Sequence, residues 1–141
     1  MNKRIVFFGT AALVFLLDRI TKLLIVHKLA LNSSVDVGPI SLVHIVNTGT
    51  AFGLLKSAGL IFTVAAIIVS IYLVVKHQTY DSRLQPALGL VLGGALGNVL
   101  DRFIYGAVID FIDLHFWPVF NVADAAISVA IVFLIVQEWK K

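Results

Sequence analysis

The sequence predicts an all-α membrane protein, four transmembrane helices with a small β-sheet platform on the outer face, in a single domain over residues 1–141. Three observations predict it. Of 141 residues, 60% are hydrophobic and 13% charged, against about 25% charged in an ordinary soluble domain. Apolar runs recur at lengths near the ~20 residues that cross a ~30 Å hydrocarbon layer. The basic residues cluster where those runs end. A net charge of +3 is too small and too scattered for a nucleic-acid footprint. The absence of Cys excludes thiolate nucleophiles, disulfides and Cys-ligated metals.

The first span is placed at about 5–27. Lys3 and Arg4 before Ile5–Leu17 resemble the flank and apolar core of a secretory leader. No small-x-small cleavage site follows, however, and Leu23–Val26 resume the apolar pattern after Asp18, Arg19 and Lys22, so the segment is read as a retained helix. The second span, 58–75, carries no charge and ends at Lys76 and His77. The third, 86–104, starts at Pro86, a favoured first-turn residue. Its Gly89, Gly93 and Gly97 form a small-xxx-small stripe suited to helix packing. The fourth, 122–139, begins after Pro118 near Asn121 and ends at Trp139. Lys3 and Arg4, Lys76 and Arg83, and Lys140 and Lys141 fall on one membrane side, which the positive-inside rule makes cytoplasmic. Both termini are then inside, and the connections 28–57 and 105–121 face outward. Alternation at Ile40, Leu42, His44 and Val46 and the β-branched, aromatic run Val108–Leu114 predict short strands there.

Ionisable residues inside spans are costly and mark function by default. Asp18 lies 13 residues beyond Ile5, about 20 Å along a helix, in the outer third of its span. Asp101 and Arg102 close the outer end of the third span, Asp110 and Asp113 occupy the outer connection, and Asp124 sits in the first turn of the fourth helix. Asn47, with Gly49 and Gly53, lies in the other outer connection. The unusual polar groups thus converge on one end of the bundle. Asp18 and Lys22, four residues apart, either pair structurally or face a substrate. Asn121 followed by Asp124 also reads as a helix cap with an acid in the first turn.

Asp110, Asp113 and His115 are compatible with metal ligation by residue type, but strand alternation would put Asp110 on the opposite face from the other two. No G-x-S-x-G or S-x-x-K pattern supplies a hydroxyl nucleophile. Paired carboxylates remain. Two aspartates sharing one site titrate as a coupled pair, one acid and one base, as peptide hydrolysis by aspartic proteases requires. Spacing leaves the pair open among Asp101, Asp110, Asp113 and Asp124. A proton relay through Asp18 and Asp101 is disfavoured because the inner halves of the spans are bare of polar groups. An assembly factor built on the glycine stripe would leave the outer carboxylates unexplained.

Five ordered motifs, Asp18-Arg-Ile-Thr-Lys22, Asn47-Thr-Gly-Thr-Ala-Phe-Gly53, Gly93-Gly-Ala-Leu-Gly-Asn-Val-Leu-Asp-Arg102, Val108-Ile-Asp110-Phe and Phe120-Asn-Val-Ala-Asp124, resemble the lipoprotein signal peptidase (signal peptidase II) family of bacteria. The resemblance implies a monomeric aspartic endopeptidase of the bacterial inner membrane, active at the outer face without metal or cofactor. Its implied substrates are diacylglyceryl-modified prolipoproteins, cut just before the lipidated cysteine, and membrane lipid is an implied partner. It further implies Asp110 and Asp124 as the catalytic dyad. Asn98, Asp101 and Arg102 are implied to support the dyad, with Arg102 also contacting the substrate backbone. Asn47 is implied to hold substrate and Asn121 to orient it, while Asp18 and Lys22 brace the first helix. A cleft bordered by Asn47 and Arg102 is expected to take the peptide. The connection from Asp110 to Asp124, only 14 positions long, is the main departure from the family pattern.

Overall fold

The computed structural model describes residues 2–49 and 58–140. Four helices account for most of them: α1 (Lys3–Lys28), α2 (Ala58–Lys76), α3 (Gln85–Tyr105) and α4 (Val122–Trp139). Three strands, β1 (Ser34–Val37), β2 (Ile40–Asn47) and β3 (Val108–Asp113), form an antiparallel sheet in the order β1-β2-β3. Each helix starts and stops within two residues of its expected bounds. The Asn2 side chain accepts from the Arg4 N–H at 3.0 Å and so begins α1 just ahead of the apolar run. Gly53, the last residue of the second motif, lies outside the described residues.

The bundle has a mixed interior, an apolar cluster of Phe7, Ala11, Leu73, Leu88 and Leu92 and, farther along α1 and α3, buried Asp18, Lys22 and Asp101, while its outer surface is largely apolar. α3 is the central helix, packed against α1, α2 and α4. The buried positions of α1 are Phe7, Ala11, Val14, Asp18, Lys22 and Ile25, one stripe at helical spacing. The glycine stripe receives that face. A Cβ on Gly89 would stand 2.6 Å from the Phe7 carbonyl oxygen, and one on Gly93 would run into the Ala11 carbonyl. Gly94, which the stripe does not include, does the same for α4, where a Cβ would lie 2.6 Å from the Ala123 carbonyl oxygen. Backbones this close carry the dispersion contacts that associate helices where water supplies no hydrophobic drive. At the end of the bundle where the chain begins, His77 stacks on Phe7 at 4.2 Å, and the Gln85 amide donates to the His77 carbonyl at 2.8 Å, which pins the α2–α3 turn.

Helices α2, α3 and α4, with the short turns flanking the α2–α3 link, supply three segments long and apolar enough to cross a membrane, Gly59–Thr79, Ser82–Tyr105 and Val122–Trp139. α1 is longer than α2 or α4 but carries Asp18, Arg19 and Lys22 in its second half.

β2 and β3 occur where alternation and composition predict strands, whereas β1 was not foreseen, and β2 does not keep a single buried face. A bulge in the β2–β3 pairing falls between Leu42 and Ile45, so Ser41, Val43 and His44 are buried and Val46 is exposed. The extra residue exchanges the faces of the strand partway along it. After α3 the chain reverses at Gly106, whose φ of +72° is open to glycine at little cost and whose N–H satisfies the Arg102 carbonyl at 3.0 Å. That short reversal lays β3 beside the end of α3 and brings Asp110 back toward Asp101.

Candidate functional site

The polar groups predicted to converge form one connected network where α1, α3, α4, β2 and β3 meet. At its base, Lys22 is 1% and Asp18 and Asp101 are 0% exposed. The Lys22 ammonium lies 2.8 Å from Asp18 Oδ2 and 2.6 Å from Asp101 Oδ2, and it donates to Asn98 Oδ1 at 3.0 Å. Two carboxylates and one amide oxygen thus surround the buried ammonium. Asp101 also pairs with Arg19 and accepts from the Ile109 N–H at 3.2 Å, tying α3 to the start of β3. Asp18 Oδ1 accepts from the Ala123 N–H at 3.0 Å. The α1 carboxylate thereby satisfies an orphan donor in the first turn of α4, where the helix dipole favours negative charge. Asp18 and Lys22 do pair with one another, and both reach beyond α1 to hold α3 and α4.

Above this base, two asparagines connect two carboxylates. Asn98 Nδ2 donates to Asp124 Oδ1 at 2.8 Å, while Asn121 Nδ2 donates to Asp110 Oδ1 at 2.7 Å and reaches Asn98 Oδ1 at 3.2 Å. Asn47 Nδ2 donates to the other oxygen of Asp110 at 2.8 Å. Asn121 is also the N-cap of α4. Its Oδ1 accepts from the Asp124 N–H at 2.9 Å, and its own N–H donates to Asp124 Oδ2 at 3.3 Å, a reciprocal capping box. Local helix-capping chemistry and the linking of two aspartates are therefore done by the same residue. Asp110 is 3% exposed. Burial pushes its pKa up to about 6; the Asn47 hydrogen bond opposes this and the nearby charge of Asp124 adds to it.

Asn47, expected to hold substrate, lies beside Asp110, and its Oδ1 accepts from the Gly49 N–H at 2.9 Å. Asn47 and Asp110 line a hollow of about 330 Å³ closed by Pro118 and Val119. Arg102 and Asn98 lie at one end of an apolar cleft of about 360 Å³ between α2, α3 and α4, walled by Phe62, Val69, Ala95 and Ile127.

Asp113 stays apart from this network. Its Oδ1 accepts from the His115 N–H at 2.7 Å and lies 3.7 Å from the His115 ring, whereas Asp110 is bound to Asn47 and Asn121. Asp110, Asp113 and His115 accordingly do not make one ligand set. Arg19 is the residue the sequence reading passed over, treating it only as a charge after the first apolar run. It stands between Asp18 and Lys22 in sequence and pairs with Asp101. A third charge beside the Asp18–Lys22 pair, within an otherwise apolar run, was the available signal.

Two carboxylates held this way, one of them with a raised pKa, can divide the roles of proton donor and proton acceptor toward a bond placed between them.

The family model for signal peptidase (SPase) II matches residues 10–140. The chain is similar to a lipoprotein signal peptidase of Thermodesulfovibrio yellowstonii, 44% identical over 92% of this chain and 91% of that protein. It is also similar to one of Syntrophus aciditrophicus, 39% identical over 97% of this chain and 94% of that protein. Among solved structures, a bacterial membrane enzyme determined at 1.9 Å superposes with a TM-score of 0.86 at 31% identity, covering 94% of this chain and 91% of that one. A second bacterial membrane enzyme structure, at 2.3 Å, gives a TM-score of 0.83 at 31% identity over 93% of this chain and 85% of that one.

Proposed function

This chain belongs to the signal peptidase II family, and on that premise we propose that it removes signal peptides from diacylglyceryl-modified bacterial prolipoproteins, with Asp110 and Asp124 as the catalytic pair. One observation carries the choice of residues. Of the aspartates at this end of the bundle, Asp18 and Asp101 are neutralised by Lys22 and Arg19, whereas Asp110 and Asp124 are held by neutral amides and retain their acid–base capacity.

In the proposed reaction Asp110 carries the proton, as its elevated pKa favours, and Asp124 takes the part of the base. Water attacks the carbonyl carbon just before the lipidated cysteine, giving one proton to Asp124 while Asp110 protonates the carbonyl oxygen. The resulting gem-diol collapses. The C–N bond breaks, the leaving amine takes the proton from Asp124, and a hydroxyl of the intermediate returns one to Asp110. Asn98, Asn121 and Asn47 keep both carboxylates aimed at the same point. Arg102, whose guanidinium donates to the Asn98 carbonyl at 3.4 Å, presents its remaining donors to the substrate backbone at the mouth of the apolar cleft. No step requires a metal or cofactor.

The working unit in this reading is a monomer, a single membrane domain spanning residues 1–141, and all the proposed groups come from one chain. α1 is read as the fourth span. Its charged residues Asp18 and Lys22 are buried against α3 and α4, while its outward surface is apolar, with Leu13, Leu16, Ile20 and Leu24 each more than half exposed. Loop charges put both termini in the cytoplasm and the carboxylate pair with its sheet at the outer face of the inner membrane. The substrate's acyl chains then fix the scissile bond at the depth of the dyad, each buried CH₂ contributing ~0.8 kcal/mol.

The test is cleavage of a matched pair of precursors in liposomes by the purified protein. The diacylated prolipoprotein should show the size shift of signal-peptide loss, and the unlipidated precursor should be cut far more slowly. No cleavage of the lipidated form, or equal rates for both, overturns the proposal.

A further inference from the structure

Each member of the proposed catalytic pair follows a residue whose backbone N–H is held by a buried aspartate. Ile109, just before Asp110, donates to Asp101 Oδ2 at 3.2 Å, and Ala123, just before Asp124, donates to Asp18 Oδ1 at 3.0 Å. The two holding carboxylates come from different helices, α3 and α1, and Lys22 stands between them. Its ammonium is 2.6 Å from the same Asp101 oxygen that takes the Ile109 N–H, and 2.8 Å from Asp18 Oδ2. It also donates to Asn98 Oδ1, whose amide nitrogen bonds Asp124. Arg19 pairs with Asp101 too but stays 3.6 Å from Asp18, outside hydrogen-bond distance. Gly97 lets the α1 carboxylate in, since a Cβ there would lie 2.5 Å from Asp18 Oδ2.

We propose that Lys22 is a positioning residue for the reaction: it clamps Asp18 to Asp101 and so sets the separation between the backbone that carries Asp110 and the backbone that carries Asp124. The inference rests on those two aspartates being the catalytic pair. Asn98 and Asn121 join the pair at the level of its side chains, and Lys22 joins the backbones behind them. At 1% exposure Lys22 is kept from substrate and acts only through Asp18, Asp101 and Asn98. Without a cation between them, the two carboxylates would repel each other across the α1–α3 contact and draw the held N–H groups apart. Stability is a poor reason for such an arrangement, because replacing buried ionic groups as a set by neutral groups of similar volume often costs none. Geometry is a better one. Two acids serving one bond tolerate little misplacement, an error of ~1 Å costing about 10²-fold in rate.

The experiment measures kcat and KM for cleavage of the diacylated precursor by variants of the full-length protein, per folded molecule as judged by size exclusion and tryptophan fluorescence. Lys22→Met removes the clamp alone. The double variant Asp18→Asn/Lys22→Met removes it together with one charge of each sign, keeping the Arg19–Asp101 pair and an acceptor for the Ala123 N–H. Gly93→Ala disturbs the α1–α3 contact at Ala11 and Val14 without touching the clamp. Both Lys22 variants should lose about 10²-fold in kcat with KM within about twofold of wild type. Where Lys22→Met does not fold, the double variant carries the measurement. Gly93→Ala, which a simple brace of α1 would make equally damaging, should keep kcat within about twofold. Wild-type kcat in the double variant, a raised KM in place of a lowered kcat, failure of the double variant to fold, or an equal loss of kcat in Gly93→Ala would each overturn the proposal. Asp110→Asn that still cleaves would instead overturn the catalytic pair on which it rests.

Discussion

Replacing Asp110 with Asn separates the chemistry of this carboxyl from its cost to the fold. The raised pKa means that the folded protein resists ionising this group. Burial, opposed by Asn47 and reinforced by Asp124, moves the pKa from 3.8 to about 6. At about 1.4 kcal/mol for each tenfold change in proton affinity, ionised Asp110 costs the fold roughly 3 kcal/mol. The sign follows from the folded pKa lying above the unfolded one. The contribution of Asp110 to stability is complete below the unfolded pKa and is lost as pH rises through about 6. Between pH 5 and pH 8 the wild type should lose about 1.4 kcal/mol through this group, whereas the Asn variant, which does not titrate, should lose none of it. Unfolding in mixed detergent micelles, followed by tryptophan fluorescence at four pH values across that range, measures the difference in slope. In the same preparation, cleavage of a diacylated precursor should fall by at least ~10³-fold, because an amide cannot act as the acid. Parallel stability profiles would refute the account of the raised pKa. Turnover within tenfold of wild type would refute the catalytic assignment itself.

Asp113→Asn should leave cleavage within about twofold of wild type in the precursor assay, since Asp113 bonds only to the His115 turn and not to the amide-linked pair. Lys22→Met should destabilise the protein by ~3–5 kcal/mol in denaturant titration, because Asp18 and Asp101 lose a buried partner. Gly93→Ala should cost ~1–3 kcal/mol, its new Cβ meeting the Ala11 carbonyl and a Val14 carbon 2.9 Å away. Gly9→Ala, facing open space in α1, should be neutral or stabilising by up to ~1 kcal/mol in the same measurement. Cleavage should survive exhaustive treatment with EDTA, and loss of activity restored by added zinc would contradict a reaction run by two carboxyl groups alone.

The sequence by itself determined the helices, because each is a run of apolar residues between polar or helix-breaking ends. These signals are local: Asn2 caps α1, Pro86 opens α3, Gly106 ends it and Asn121 caps α4. It also determined that Asp18, Asp101, Asp110 and Asp124 gather at one end, since depth along a helix follows from a fixed rise per residue. The positions of β2 and β3 were legible from local alternation and composition, but β1 and the buried face of β2 were not, because they depend on how the strands pair and where the bulge falls. Only the tertiary structure decided which aspartates are neutralised and which stay available. That depends on Lys22 and Arg19 of α1 crossing to Asp101 of α3, and on Asn98 and Asn121 from different helices meeting between Asp124 and Asp110. The two openings beside the pair, one at Asn47 and one at Arg102, were likewise decided there. The physical reason is range. Caps and periodicity act over three or four residues, whereas an ion pair or an amide bridge joins residues tens of positions apart, and its geometry exists only once the helices have packed.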